Sequence, residues 1–221
     1  MSAILFGSIS TIADTSELQR RAFNEAFAAH GLDWNWTRAD YISMLGSNGG
    51  ANRVAEYAKS KNADVDSAAI HATKSEIFQK LVGEAGLTPR PGVVETLAAA
   101  KKSDVKVGFV TTTSADNISA LLDSLGPDVT KESFDIIVDS SSVSEPKPDA
   151  ASYTFALDKL SENAADCVAI EDNEGGVAAA SAAGVTCIAF PNENTAEGDF
   201  SAAVESVHAL DSGRVTALAG V

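Results

Sequence analysis

Short apolar runs recur along the chain and predict a buried parallel sheet. The first, Ala3–Phe6, is closed by Gly7, and runs of this length bounded by turn residues are typical of buried strands. Four further runs follow, at 105–110, 134–138, 167–170 and 185–190. Alanine-rich segments with helical periodicity alternate with them, at Val93–Lys102, 115–124, 150–160 and 175–183. The alternation predicts a doubly wound, Rossmann-like α/β fold.

One long interval breaks this alternation and predicts a second domain. Between residues 15 and 86 the pattern is helical, with amphipathic segments at 21–27, 51–61 and 66–82. Glycines interrupt these segments as predicted caps and turns, at Gly31, Gly46, Gly49-Gly50 and Gly86. A helical insertion directly after the first strand indicates a cap over the carboxyl edge of the sheet, where open α/β sheets bind ligands. We therefore expect a core formed by 1–14 and 87–221 and a cap formed by 15–86.

Charge and composition narrow the classes of partner. The 221 residues include 31 Asp and Glu but only 16 Lys and Arg, a net charge of −15, which argues against nucleic-acid binding because that needs clustered positive charge. No apolar run approaches the roughly 20 residues that span a bilayer, and the N-terminal segment lacks the features of a signal peptide. We expect a cytoplasmic protein without a membrane partner. Cys167 and Cys187 lie in apolar runs and are expected to be packing residues.

Two adjacent carboxylates end the fourth predicted strand. Glu171 and Asp172 precede a helix of small residues, and oxygen ligands at this edge of the sheet suit magnesium. The alternative is that Asp172 or Asn173 caps the helix by accepting from its free amides.

Two other strand ends carry polar residues that suit an anion. Thr111 and Thr112 follow the second strand, where hydroxyls and helix amides can hold a phosphate, although a simple helix cap is the common role of such residues. Lys147 lies between Pro146 and Pro148, which restrict the backbone and so fix where the ammonium points. Most lysines are instead solvated surface residues.

Together these residues resemble one family. The order Thr111, Lys147 and Glu171-Asp172 is similar to motifs two, three and four of the haloacid dehalogenase superfamily, and the segment from Glu171 to Gly184 matches its fourth motif closely. The cap segments and the triple threonine resemble CbbY-type and β-phosphoglucomutase-like sugar-phosphate phosphatases, which are implicated in removing xylulose 1,5-bisphosphate. The resemblance implies a magnesium cofactor and a small phosphorylated sugar or inorganic phosphate as partner.

The first motif of that family departs from its pattern here. The family has Asp-x-Asp-x-Thr after the first strand, the first Asp being the nucleophile and the second the general acid and base, but this chain has Gly7 and Ile9 at those positions. Glycine has no oxygen to form an aspartyl phosphate, and isoleucine transfers no proton. Asp14 lies seven residues beyond Gly7. We expect it to be a helix N-cap or part of the linker rather than a replacement for the missing nucleophile. We therefore hypothesise that Lys147 pairs with Glu171 or Asp172, and that magnesium binds weakly or not at all.

The cap also departs from the family. Gly49, Gly50 and Arg53 match its substrate-binding segment, whereas Ala51 replaces the usual lysine. Arg53 is a candidate anion ligand, with a surface arginine as the alternative. The three histidines, which are predicted to lie in helices without partners, receive no role: His30, His71 and His208.

Three functions remain open from the sequence. The first is a catalytically impaired relative of the phosphatases that still binds a phosphosugar or phosphate. The second is an active phosphatase whose water is activated by Glu171 or Asp172 without a covalent intermediate, because phosphoryl transfer depends mainly on positioning and charge. The third is a protein-binding scaffold, because a fold does not fix a function.

Overall fold

A parallel sheet organises the protein, in a computed structural model that describes residues 2–45 and 49–220. The strand order is β3-β2-β1-β4-β5-β6, with every neighbouring pair parallel. The strands are β1 (Ala3–Phe6), β2 (Lys106–Val110), β3 (Ile136–Val138), β4 (Val168–Glu171), β5 (Thr186–Ala189) and β6 (Glu205–Ser206). The predicted doubly wound α/β fold is confirmed.

The central strand shows why its residues are uniformly apolar. Successive side chains of a strand point to opposite faces, so Ile4 and Phe6 enter one hydrophobic cluster while Ala3 and Leu5 enter another. Both faces of the sheet are covered by helices, and neither face of β1 contacts water. A fully buried parallel strand therefore needs a continuous apolar run rather than an alternating one.

Ten helices occur in residues 2–45 and 49–220. Five lie before β2: α1 (Ile9–Ile12), α2 (Ser16–Ala29), α3 (Arg38–Ser43), α4 (Gly50–Ser60) and α5 (Ser67–Glu84). The others are α6 (Val93–Lys102), α7 (Ala115–Leu125), α8 (Ala151–Leu160), α9 (Glu174–Ala182) and α10 (Ser212–Leu218). None of these described helices combines the length and apolar character needed to cross a membrane.

Helices α2 to α5 carry a hydrophobic cluster of their own, built around Phe23, Phe27 and Trp36. Helix α5 joins this cluster through Ile70, and further along it packs Phe78 into the core cluster of the sheet. The helical insertion is therefore anchored to the core along one long helix. The exact division between 15–86 and the remaining residues stays a prediction.

Arg90 fixes the chain where it returns from the insertion to the core. Its guanidinium lies over the ring of Phe190, 3.4 Å from the centroid, and donates to the carbonyls of Ser10, Phe190 and Pro191 at 2.6 to 2.9 Å. These contacts join the segments after β1 and β5. The carboxyl edge of the sheet is thereby held in place beneath the inserted helices.

The structure adds elements that the pattern did not predict. Strand β6 is two polar residues long and carries no apolar run; it exists because it pairs with β5. Helices α1, α3 and α10 are short, and helix α2 begins at Ser16 rather than near Arg21. Gly46, a predicted turn, lies outside the described residues.

Candidate functional site

A cleft of about 470 Å³ lies between the carboxyl edge of the sheet and the inserted helices. It contains nearly all the residues that the sequence singled out: Gly7, Ile9, Gly49, Gly50, Arg53, Thr111, Thr112, Lys147 and Asp172. Glu171 is the exception, because its side chain is fully buried below the cleft floor. The structure therefore brings these candidate residues together around one cleft, whereas the Glu171 side chain does not face it.

Gly7 leaves no room for the aspartate side chain that the resemblance predicts at this position. Its amide donates to the carbonyl of Ile170 at 2.8 Å, which continues the strand pairing. A Cβ added to Gly7 would overlap the Glu171 carboxyl group and lie 2.5 Å from the hydroxyl of Tyr153. Glu171 thus fills the space beside Gly7, and no nucleophile oxygen stands at this position.

Lys147 forms the buried ion pair beneath the cleft. Its Nζ lies 2.5 Å from Oε1 of Glu171 and 2.7 Å from the carbonyl of Val110, and it also donates to the carbonyl of Gly7. Of the two partners hypothesised for Lys147, the structure pairs it with Glu171 rather than Asp172. An ammonium group has three hydrogens, so all three are used within the protein.

The electrostatics of Glu171 reflect its burial. Tyr153 donates to the same Oε1 at 2.7 Å, while the buried Oε2 has no hydrogen-bond partner among the described residues. Burial raises the pKa of Glu171 above its usual value, and the nearby Lys147 ammonium opposes the rise. Burial, followed by the charge of Glu171, also raises the pKa of Tyr153.

Asp172 faces the cleft and is held by neutral donors. Its Oδ1 accepts from Ser8 Oγ at 2.7 Å and Asn173 Nδ2 at 2.8 Å, and its Oδ2 accepts from Asn192 Nδ2 at 2.7 Å. The helix cap is Asn173, which accepts from the amide of Gly176 at 2.9 Å. Of the two possible caps, Asn173 therefore fills the role.

The donors in this region do not fit magnesium. Asp172 is the only carboxylate among the described residues that line the cleft, and no group of three acidic, histidine or cysteine side chains in residues 2–45 and 49–220 is placed to hold a metal. The Lys147 ammonium already donates to both the Glu171 carboxylate and the Gly7 carbonyl. Magnesium requires near-octahedral oxygen coordination, which one carboxylate already engaged by three donors does not provide.

Hydroxyl groups line the opposite wall of the cleft, at the start of α7. Thr111 is buried and accepts from the Thr113 amide at 3.2 Å. Ser114 is the helix cap, since its Oγ accepts from the amide of Asn117. Thr111 and Thr112 line the cleft ahead of that cap. Their role in holding a phosphate stays a prediction.

The inserted helices supply positive charge from above. Arg53 is buried, donates to the carbonyl of Met44 at 3.0 Å and lies 5.6 Å from the ring centroid of Tyr41; the surface-arginine alternative is therefore wrong. Gly49, with a φ of 84°, starts the turn into α4. A Cβ on Gly50 would come within 2.5 Å of the His71 ring, so glycine allows α4 and α5 to approach closely.

Lys74 is the main site residue that the sequence analysis missed. It is buried, lines the cleft, and donates to Oε1 of Gln19. Burial, followed by the charge of Arg53, lowers the pKa of Lys74 to about 7. Its burial could have been inferred from its spacing in the predicted helix, one turn after His71 and four residues before Phe78, because residues at this spacing share one face of a helix.

The assignments for the histidines need correction. His71 lines the cleft, and burial followed by the charges of Lys74 and Arg53 lowers its pKa to about 4. His30 has a partner, since its Nε2 lies 2.9 Å from Thr73 Oγ1. His208 lies in a bend rather than in a helix. Only position in three dimensions distinguishes His71 from the other two.

Asp14 serves the link between core and insertion. Its Oδ1 accepts from the amide and hydroxyl of Ser16 at 3.0 and 2.6 Å, and its Oδ2 accepts from the amide of Glu193 at 3.2 Å. Asp14 is not among the described residues that line the cleft. The expected linker role fits these contacts, and rescue of the missing nucleophile does not.

Comparison with known proteins places the chain in a family. Residues 6–190 match the haloacid dehalogenase-like hydrolase family. Protein CbbY of Cereibacter sphaeroides is 38% identical over 204 residues, covering 91% of this chain and 89% of that protein. Protein CbbY of Rhodobacter capsulatus is 35% identical over 206 residues, covering 92% and 91%.

Solved structures agree with this relation. CbbY from Rhodobacter sphaeroides in complex with phosphate superimposes with a TM-score of 0.88 at 37% identity, covering 95% of this chain and 94% of that one. A mutant of the same protein in complex with xylulose 1,5-bisphosphate gives the same values. With the family match extending from β1 to the end of β5, this chain belongs to the haloacid dehalogenase-like hydrolases and is similar to CbbY.

Proposed function

We propose that this protein binds a small phosphorylated sugar or inorganic phosphate in the cleft and does not hydrolyse it through a phosphoenzyme. The observation that carries the proposal is Gly7, where the space for a nucleophilic side chain is filled by Glu171 and Tyr153. Without an oxygen at this position, no covalent bond to phosphorus forms there. By analogy with the loss of a nucleophile in other enzymes, turnover falls by roughly ten-thousand-fold to a million-fold.

The size and charge of the cleft support an anionic sugar as the ligand. Its volume of about 470 Å³ lies within the range of small-molecule sites. Hydroxyls of Thr111 and Thr112 line one wall, and Arg53 supplies a cation from the inserted helices. Lys147 contributes charge from below, but a direct bond to phosphate requires it to release one of its present acceptors.

The similar proteins support the same ligand class. CbbY from Rhodobacter sphaeroides was crystallised with phosphate and, as a mutant, with xylulose 1,5-bisphosphate. A phosphorylated ketose is therefore the first ligand to test. The described residues offer no suitable donor set for the magnesium that the family generally uses, so we expect binding without a divalent metal.

A non-covalent hydrolase is the second candidate, and one observation favours it. Asp172 faces the cleft and is the residue placed to accept a proton from a water molecule, whereas Glu171 is buried away from it. Hydrolysis by this route requires no phosphoenzyme. It predicts turnover in the unaltered protein that is abolished by Asp172→Asn.

Calorimetry and phosphate release on the same samples test the proposal. Xylulose 1,5-bisphosphate and inorganic phosphate are titrated into the protein, with and without magnesium, and free phosphate is measured afterwards. We expect metal-independent binding without release. Release that Asp172→Asn abolishes supports the second candidate, and absence of both binding and release supports the scaffold alternative.

A restoration variant sharpens the result. Gly7→Asp with Ile9→Asp supplies the two missing carboxylates, but the new side chain at Gly7 must displace the Glu171 carboxyl group. We therefore expect less activity from this double variant than from the same variant carrying Tyr153→Phe, which loosens Glu171 by removing its hydrogen bond. Full activity in the unaltered protein would contradict the proposal.

A further inference from the structure

Lys74 has surroundings unlike those of a structural lysine. No carboxylate of the described residues lies within 4.0 Å of its Nζ, and its hydrogen-bond partner is the neutral amide of Gln19. The Nζ lies 4.9 Å from the ring centroid of Phe23 and 5.0 Å from that of Phe78. Lys74 is therefore a buried amine in the wall of the cleft, with no counter-ion among residues 2–45 and 49–220.

These surroundings change what the amine can do. Burial and the nearby Arg53 guanidinium hold the pKa of Lys74 at about 7, whereas an ordinary lysine has a pKa of about 10.4. The lowered pKa makes the uncharged fraction of the Lys74 amine at neutral pH much larger than that of an exposed lysine. An uncharged amine has a free electron pair, and buried lysines of this kind are the ones that attack carbonyl groups.

We propose that Lys74 captures the carbonyl group of an open-chain sugar phosphate as a reversible imine. The Nζ electron pair forms a bond to the carbonyl carbon, and the carbon–oxygen π electrons move to the oxygen. The two amine hydrogens leave with that oxygen as water, and a carbon–nitrogen double bond remains. No oxidant, reductant or metal takes part.

The choice of sugar phosphate as the carbonyl ligand rests on the proposed function, but the reactivity of Lys74 does not. A ketose in its open form carries both groups that the cleft receives, a carbonyl for Lys74 and a phosphate for the hydroxyls of Thr111 and Thr112. The capture of a carbonyl compound without a phosphate group tests the amine alone.

Reductive trapping on the intact protein tests the inference. The protein is incubated at pH 7 with dihydroxyacetone phosphate or dihydroxyacetone in cyanoborohydride, and each lysine is quantified by peptide mapping. Lys80, exposed on the same helix, is the internal comparison. Lys74→Arg keeps a cation and is expected to remove this adduct alone.

We expect Lys74 to carry at least about tenfold more adduct than Lys80 with either reagent, as the difference in neutral amine implies. Labelling of Lys74 no greater than that of Lys80 with both reagents would overturn the inference. The proposed function has its own readout, the excess of the phosphorylated over the non-phosphorylated reagent at Lys74. Equal labelling by the two reagents counts against phosphate binding and leaves imine formation supported.

Discussion

Two buried lysines line the same cleft from opposite sides, and their surroundings differ. Lys147 below contacts a carboxylate and two carbonyls, whereas Lys74 above contacts one amide and two aromatic rings. Burying a charge is costly unless charge and hydrogen bonds compensate it. The Lys147 ammonium is therefore compensated by a carboxylate and two carbonyls, whereas burial lowers the pKa of the Lys74 amine to about 7.

The two sides of the cleft are therefore expected to have different roles. Lys147 and Glu171 form a buried ion pair beside Gly7. On the cap side, Arg53 and Lys74 line the cleft. Ligand recognition is thus expected to depend on the cap more than on the core.

The largest effect is expected from Lys147→Met. Removing the ammonium leaves Glu171 buried without its counter-ion, which should lower the free energy of unfolding by about 3–5 kcal/mol. Urea denaturation measures the loss. The matched control is the double variant Lys147→Met with Glu171→Gln, which removes both charges and should recover part of the stability. A loss below about 1 kcal/mol in the single variant would show that the ion pair is not effectively buried.

Lys74 should make the stability of the protein depend on pH. Its pKa is about 7 in the folded state and about 10.4 in the unfolded state, so between these values the unfolded chain binds more protons. The free energy of unfolding should therefore rise with pH, by up to about 1.4 kcal/mol per pH unit. The free energy of unfolding of Lys74→Met and of the unaltered protein, measured at pH 7 and 9, isolates this contribution. The same change between the two pH values in both proteins would place the Lys74 pKa near its usual value.

Gly7→Ala tests how tightly Glu171 and Tyr153 fill the space beside the first strand. The added methyl group overlaps them, and overpacking of this kind costs about 1–3 kcal/mol. Gly83→Ala is the control, because Gly83 is an exposed residue of α5 with nothing within 4 Å of the added group. There the helix should gain up to about 1 kcal/mol. Equal changes in melting temperature for Gly7→Ala and Gly83→Ala would mean that the space beside Gly7 is open.

The smallest effect is expected from Thr112→Val, which removes one hydroxyl from the cleft wall. Loss of one hydrogen bond to the ligand should weaken phosphate affinity by roughly 0.5–1.5 kcal/mol. Calorimetry measures the phosphate affinity of Thr112→Val and of the control Thr154→Val, which changes an exposed residue of α8. If both variants bind phosphate like the unaltered protein, the hydroxyl wall does not hold the anion.

The sequence was most informative where a pattern is local. The run Ala3–Phe6 and the helix Val93–Lys102 coincide with their observed bounds, because apolar spacing alone defines them. The two residues of β6 carry no such spacing and depend on the neighbouring strand. Adjacent Glu171 and Asp172 were predicted together, yet consecutive side chains at a strand end point to opposite sides, and only Asp172 reaches the cleft.

Lys74 shows what the sequence alone could not supply. A lysine in an amphipathic helix is usually solvated, and its burial depends on three inserted helices meeting over the sheet. One ring contact, with Phe23, comes from α2 and the neighbouring Arg53 comes from α4, whereas the second ring, Phe78, lies on α5 itself. Its lowered pKa is a property of that assembly, and no spacing along α5 encodes it.

Intact mass spectrometry gives the most direct test of the absence of a phosphoenzyme. The unaltered protein is incubated with an excess of a phosphorylated ketose and magnesium, quenched in acid, and weighed without digestion. We expect no phosphoryl adduct on the chain at any time point. A phosphoryl adduct that maps to an aspartate of the unaltered protein, such as Asp14 or Asp172, would contradict the central claim.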